Sequence, residues 1–190
     1  MGKSLLIAIA VLTAGAPSFG QTVTSDPAAL MTAEREGLKA FAWMDGEWRG
    51  TAVTQTPTGE HRVTHTERVG TLLGGTVRLI EGHSYRSDGS TGFNAFAMLA
   101  FDPTTRTYKM TSHAEGRYGA FAIVPTASGY SWEIPAGPMT IRYTATFKNG
   151  TWTEIGERVA PGKPIVSFFK MELRRTGNSA WPSAGSIKPN

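Results

Sequence analysis

Between Glu47 and Arg175 the chain is a succession of short stretches in which apolar and polar positions alternate. Val, Ile, Thr, Tyr, Phe and Trp fill these stretches, and the clusters "TPTGE", "LLGG", "SDGS", "DPTT", "TASG", "PAGP", "KNG" and "APGKP" interrupt them. A period of two puts successive side chains on opposite faces of a strand, so the region predicts nine or ten strands joined mostly by hairpins. One stretch with helical spacing precedes them, "SDPAALMTAEREGLKAF". Asp26 can cap it and Pro27 suits its first turn. Leu30, Leu38 and Phe41 recur near helical spacing, Glu34 and Glu36 solvate one side, and Asp45-Gly46 ends it. No second helical stretch is present to build parallel crossovers, so the sheet is expected to be antiparallel throughout.

The expected fold is all-β: an antiparallel up-and-down β-barrel of nine or ten strands with one N-terminal helix. Closure removes the exposed edges of an open sheet. A two-sheet sandwich is the competing arrangement. An outer-membrane barrel fits less well, because the outward face carries threonines and ion pairs where a lipid-facing band is required.

Two hairpins assign the faces. Asn149-Gly150 is a strong two-residue turn signal. It sets Phe147 opposite Trp152, Ala145 opposite Glu154, Tyr143 opposite Gly156 and Ile141 opposite Arg158. That face carries the aromatics and is taken as inward. The other face pairs Thr146 with Thr153, Thr144 with Ile155 and Arg142 with Glu157, the last read as a surface ion pair of little energetic worth. Glu154 is then a carboxylate on an aromatic face. Asp88-Gly89 gives a second hairpin, with Leu79 opposite Met98, Glu81 opposite Phe96, His83 opposite Asn94 and Val77 opposite Ala100. Both of its faces are partly apolar. The face with Leu79, Glu81 and His83 is taken as inward because that leaves Arg78 in solvent. In "HRVTHTERV", His61, Val63, His65, Glu67 and Val69 share the inward face. In "IVSFFKMELRR", Ile165, Phe169, Met171 and Leu173 share a face that continues to Arg175, with Lys170, Glu172 and Arg174 opposite.

The flanks read differently. Met1–Gly20 carries Lys3 as its one charge, then the apolar run "LLIAIAVL", then Ser18 and Gly20 before Gln21. That is the pattern of a secretory signal peptide, with an apolar core too short for a permanent membrane anchor. Cleavage would leave residues 21–45 as linker and helix, 46–175 as the barrel domain and 176–190 as a disordered tail. The expected location is periplasmic or secreted, with no membrane span after cleavage. The chain has no cysteine, which excludes disulfides, lipoprotein anchoring and thiol chemistry. Without Lys3, 18 basic side chains face 15 acidic ones, scattered singly. No basic run marks a nucleic-acid surface.

A helix, then Gly46-x-Trp48, then an antiparallel series ending in an arginine-bearing strand resembles the calycin superfamily, which includes lipocalins and fatty-acid-binding proteins. The layout "GEWRG", "LLGG", "FDPTTRTY", "NGTWTEIGE" and "FKMELRR", over about Phe41–Arg175, resembles the exported lipocalin-like proteins of bacteria. In that superfamily a first-strand Trp closes one barrel end and a last-strand Arg or Lys packs across it. The resemblance therefore implies structural roles for Trp48 and Arg175, with a cation–π contact between them. Gly50 is expected to leave room beside the Trp48 ring.

The function this suggests is binding of a small apolar or amphipathic molecule in the barrel cavity. Candidate lining residues are Glu81, His83, Asn94, Met98, Tyr143, Trp152, Glu154, Phe169 and Met171, together with Trp48: apolar walls with sparse polar anchors. Three inward carboxylates, Glu67, Glu81 and Glu154, exceed what packing asks for. A barrel enzyme using Glu81, His83 or Glu154 as acid or base is the alternative, without a recognised catalytic motif to support it. A haem or metal site, or a filled barrel acting as an interaction module, is a third. His65, Glu67 and His83 match no ligand spacing. The histidine that related haem-binding barrels, the nitrobindins, place near the C-terminal strand has no counterpart after His113. No cofactor and no catalytic residue is assigned.

Overall fold

The computed structural model describes residues 26–182; the expected signal peptide and the end of the tail lie outside the described residues. The first element is α1, Pro27–Leu38. Its cap is the expected one, with the Ala28 N–H donating to Asp26 Oδ1 at 3.1 Å and Pro27 in the first turn, where its missing N–H costs nothing. A tighter 3-10 segment, Lys39–Met44, follows and buries Phe41 and Met44. At Gly46 the chain turns into the first strand with φ +127, beside the Gly177 carbonyl and the Arg175 guanidinium, where a Cβ would lie within 2.8 Å of both. Only glycine combines that dihedral with that closeness.

Ten strands follow: β1 Gly46–Thr56, β2 Gly59–Leu72, β3 Val77–Tyr85, β4 Thr91–Asp102, β5 Thr107–Ala114, β6 Arg117–Thr126, β7 Gly129–Ala136, β8 Met139–Lys148, β9 Thr151–Val159 and β10 Val166–Gly177. Each pairs antiparallel with its neighbours in sequence, and β1 pairs with β10, so the sheet closes into a barrel. The sandwich is thereby excluded. The turn clusters named above separate nine strands. The tenth comes from Glu115-Gly116, a two-residue loop with both residues at positive φ (51 and 74).

Both hairpin registers are as expected. Asn149 and Gly150 take φ 52 and 73, and Phe147 faces Trp152, Ala145 faces Glu154 and Tyr143 faces Gly156. In the β3–β4 pair, Leu79 faces Met98, Glu81 faces Phe96 and His83 faces Asn94.

The face of the β3–β4 pair is reversed. Trp48 pairs with Glu67 and Glu67 with Gly82, so the inward residues of β3 are Arg78, Ile80, Gly82 and Ser84. Those of β4 are Leu99, Ala97, Ala95 and Phe93. Leu99 and Ala97 are buried while Met98 and Phe96 are exposed. Glu81, His83, Asn94 and Met98 therefore lie on the outside of the barrel. The expectation failed on Arg78, which is buried despite its charge. Its Nε and Nη2 donate to Asp45 Oδ1 and Oδ2 at 2.7 and 3.0 Å, and its Nη1 to the Leu38 carbonyl at 2.8 Å. A guanidinium with three such hydrogen bonds can leave solvent.

Smaller differences have similar causes. Ile165 precedes β10 and is exposed, because a register shift between Ser167 and Phe169 breaks the parity. Arg142 lies opposite Glu157, but its Nε donates to Glu133 Oε1 on β7 at 2.8 Å. β10 runs on to Gly177. The residues after it cross the outer face, where the Trp181 ring meets Phe96 edge-on at 6.4 Å. The Trp181 carbonyl lies where a Cβ on Gly70 would be.

The 3-10 segment and the helix end close one end of the barrel. Leu38, Phe41, Met44, Trp48, Val69, Leu99, Trp152 and Leu173 are fully buried there. Trp43 stacks on Phe147 at 5.2 Å and meets Trp48 and Trp152 edge-on. Trp48 Nε1 donates to the Met44 carbonyl at 2.7 Å, so the indole is fixed at both its apolar and polar ends.

Candidate functional site: a polar cluster above the aromatic floor

Above this floor several inward side chains are no longer fully buried. Val63, Phe121, Trp132, Tyr143, Glu154 and Phe169 all point into the barrel and all keep accessible surface. A packed barrel core would bury them, as the floor buries Trp48 and Trp152. The aromatic lining continues upward, with Trp132 stacked on Tyr143 at 4.6 Å, Phe121 against Trp132 at 5.2 Å and Phe169 edge-on to Tyr143 at 6.0 Å. Near the far end Arg158 places its guanidinium 4.4 Å from the Phe168 ring.

A polar cluster sits between floor and aromatic lining. On β2, His65 is buried. Its Nε2 lies 2.9 Å from Glu67 Oε1 and its Nδ1 lies 2.7 Å from Ser84 Oγ on β3. The strand register builds this chain, since His65 and Ser84 are direct partners and Glu67 is two residues along the same face. Gly82 leaves the space for Glu67, because a Cβ there would come within 2.9 Å of Glu67 Oε1. From the other side of the barrel, the Tyr130 hydroxyl donates to Glu154 Oε2 at 2.8 Å.

Burial pushes the Glu154 carboxyl up to about 7. The Tyr130 hydrogen bond opposes that rise, the negative charge of Glu67 adds to it and His65 opposes it. Burial also raises the Tyr130 hydroxyl well above its usual value, with Glu154 adding to the rise through its charge and hydrogen bond. Tyr143 is pushed up to about 12 by burial and by Glu154, against Arg158. Both tyrosines therefore stay phenols and can donate. Among the described residues, two buried side-chain polar atoms complete no hydrogen bond, Glu67 Oε2 and Trp152 Nε1, the latter facing the Tyr130 hydroxyl. Such atoms are costly to leave unmet and mark a place for water or a ligand group.

Of the residues expected to line a cavity, the structure brings Tyr143, Trp152, Glu154, Phe169 and Met171 to the interior. Glu81, His83 and Asn94 lie outside, along an open groove of about 590 Å³ that also takes in Phe96, His113 and Tyr118. His83 Nε2 is 3.4 Å from Glu81 Oε1, both about one-third exposed, and water screens such a pair. No cluster of three metal-ligating side chains exists among the described residues. Trp48 and Arg175 are register partners across β1 and β10, but the guanidinium donates to the Asp45 carbonyl at 3.1 and 3.0 Å. It ties down the strand entry, and the expected contact with the indole is replaced by the edge-on rings of Trp43 and Trp152. The alternation in β2 places His65 and Glu67 inward without joining them to Ser84. The missing signal was the inward face of β3.

No protein-family model matches the chain, and no curated protein matches it. Among solved structures, the crystal structure of Rv2717c from M. tuberculosis superposes with a TM-score of 0.55 at 12% sequence identity. The match covers 73% of this chain and 96% of that one. At that identity the likeness is one of fold.

Proposed function

We propose that this barrel is an exported, lipocalin-like binding protein that holds a small apolar or amphipathic molecule in its interior. The observation that carries this is the change along the barrel axis. A fully buried aromatic floor gives way to inward aromatic side chains with accessible surface, and buried polar atoms that complete no hydrogen bond lie between them. Apolar walls with a few fixed polar groups are the composition of small-molecule sites. Placement inside a lipocalin-like family rests on the closed ten-strand antiparallel barrel, the preceding helix and Trp48 at the floor. Export rests on the signal-peptide pattern of Met1–Gly20.

Native mass spectrometry of the protein isolated from its natural source tests the reading. A retained small organic molecule, or uptake of the neutral fluorophore N-phenyl-1-naphthylamine with a blue-shifted emission, is the expected result. A bare chain that also takes up no fluorophore overturns it.

A further inference from the structure

The polar cluster above the floor carries two carboxyls, Glu67 and Glu154. Glu67 comes from β2 and Glu154 from β9, and the negative charge of Glu67 helps to raise the Glu154 carboxyl. The groups facing Glu154 are Tyr130 from β7, Tyr143 from β8, Trp152 and, nearer the far end, Arg158 from β9, Met171 from β10, and Glu67 and His65 from β2. At the floor end, the Arg78 guanidinium is held by Asp45 and the Leu38 carbonyl, and that of Arg175 by the Asp45 carbonyl. A carboxylate or phosphate head at this depth would meet the Glu67 and Glu154 carboxyls. Glu67 Oε2 is an acceptor without a donor. The Trp152 N–H, on a side chain 2% exposed, faces the Tyr130 hydroxyl without completing a hydrogen bond to it. Above them Trp132, Tyr143 and Phe169 present aromatic surface, which attracts cations as well as apolar bodies.

Resting on the cavity reading above, we propose that the ligand class is a protonated amine with an apolar body. Its ammonium lies between Glu67 and Glu154, its body against Trp132, Tyr143 and Phe169, and an oxygen near the nitrogen, where the ligand has one, accepts from Trp152 Nε1. The ammonium supplies the donors that Glu67 Oε2 lacks. It also takes the place of the proton on Glu154, so that binding releases a proton to buffer near neutral pH. Anionic amphiphiles such as fatty acids are rejected by the same two carboxyls.

Decylamine, decanol and decanoate carry nearly the same body with positive, neutral and negative heads. Each is titrated below its aggregation limit at pH 7 against protein loaded with N-phenyl-1-naphthylamine, and decylamine is repeated by calorimetry in two buffers of different ionisation enthalpy. Decylamine is expected to displace the fluorophore at concentrations at least about tenfold below decanoate, with net proton release. Glu154→Gln and Glu67→Gln, which keep shape and remove charge, are expected to shrink that preference while decanol binding holds. Decanoate equal to or better than decylamine, or a preference unchanged in both variants, overturns the amine proposal and leaves the cavity standing. Failure of the fluorophore and all three compounds to bind overturns the cavity reading and this proposal with it.

Discussion

Arg78 on the third strand grips Asp45, the residue at which the helical segment hands over to the first strand, through two parallel N–H···O bonds of 2.7 and 3.0 Å. The side chain of Arg78 is 4% exposed and that of Asp45 39%. The pair joins the floor of the barrel to its wall, and the third guanidinium nitrogen caps the helix end at the Leu38 carbonyl. Removing one partner strands the other. Asp45→Asn should cost about 3 kcal/mol or more, since it leaves a buried guanidinium without its counter-charge. Arg78→Met should cost less, because it replaces the buried charge by an apolar side chain of similar length. Urea unfolding of the two variants decides this; equal and small losses would show that the pair is no more than a surface contact.

Glu154 makes stability depend on pH with a defined sign. A carboxyl whose pKa is higher in the folded than in the unfolded chain binds more protons when folded. Folding therefore weakens as pH rises from about 4.5 to about 7, and the full cost persists above that range. The shift corresponds to about 3 kcal/mol. Glu154→Gln should accordingly gain about that much relative to the parent between pH 4.5 and pH 8. Parallel denaturation curves at the two pH values check it, and a difference that stays constant would remove Glu154 from the buried interior.

The glycines at positions 50 and 82 fail in different ways. A Cβ on Gly50 would lie 1.9 Å from the Glu172 carbonyl oxygen, which belongs to the paired backbone of β10. Gly50→Ala should cost about 3 kcal/mol or more. Gly50 is expected from sequence to make room beside Trp48, whereas its close contact is with the backbone of the neighbouring strand. A Cβ on Gly82 meets the end of a side chain, Glu67 Oε1 at 2.9 Å. Gly82→Ala should therefore fold and weaken ligand binding by displacing the Glu67 carboxyl. Gly177→Ala, which meets nothing within 4 Å, is the control. Thermal unfolding beside fluorophore titration separates the two effects.

The inner and outer candidates can also be told apart. Trp132→Ala removes half of the stacked pair with Tyr143 and should weaken fluorophore binding about tenfold, on the order of 1–2 kcal/mol. His83→Ala, on the outer groove, should leave binding and stability within about 0.5 kcal/mol of the parent. A larger effect of His83 than of Trp132 would move the site to the outer groove.

What the sequence determined by itself was local. Asp26 and Pro27 start the helix, Asp45-Gly46 ends it, and Asn149-Gly150 and Asp88-Gly89 set their hairpins in register. These are short-range requirements of capping and of positive φ, and they act whatever surrounds them. The inward face of β2 and β8–β9 was also legible, because one face there is plainly more polar. On β3 and β4 both faces are half apolar, and the choice passed to a contact 33 residues distant, Arg78 with Asp45. Tertiary structure alone decided that a buried arginine was affordable, and with it that Ser84 and Gly82 turn inward while Glu81 and His83 turn out. The joining of His65, Glu67 and Ser84, and the approach of Glu154 from the far wall, followed from closure. A residue's face becomes definite only when the partner that satisfies its charge is in place.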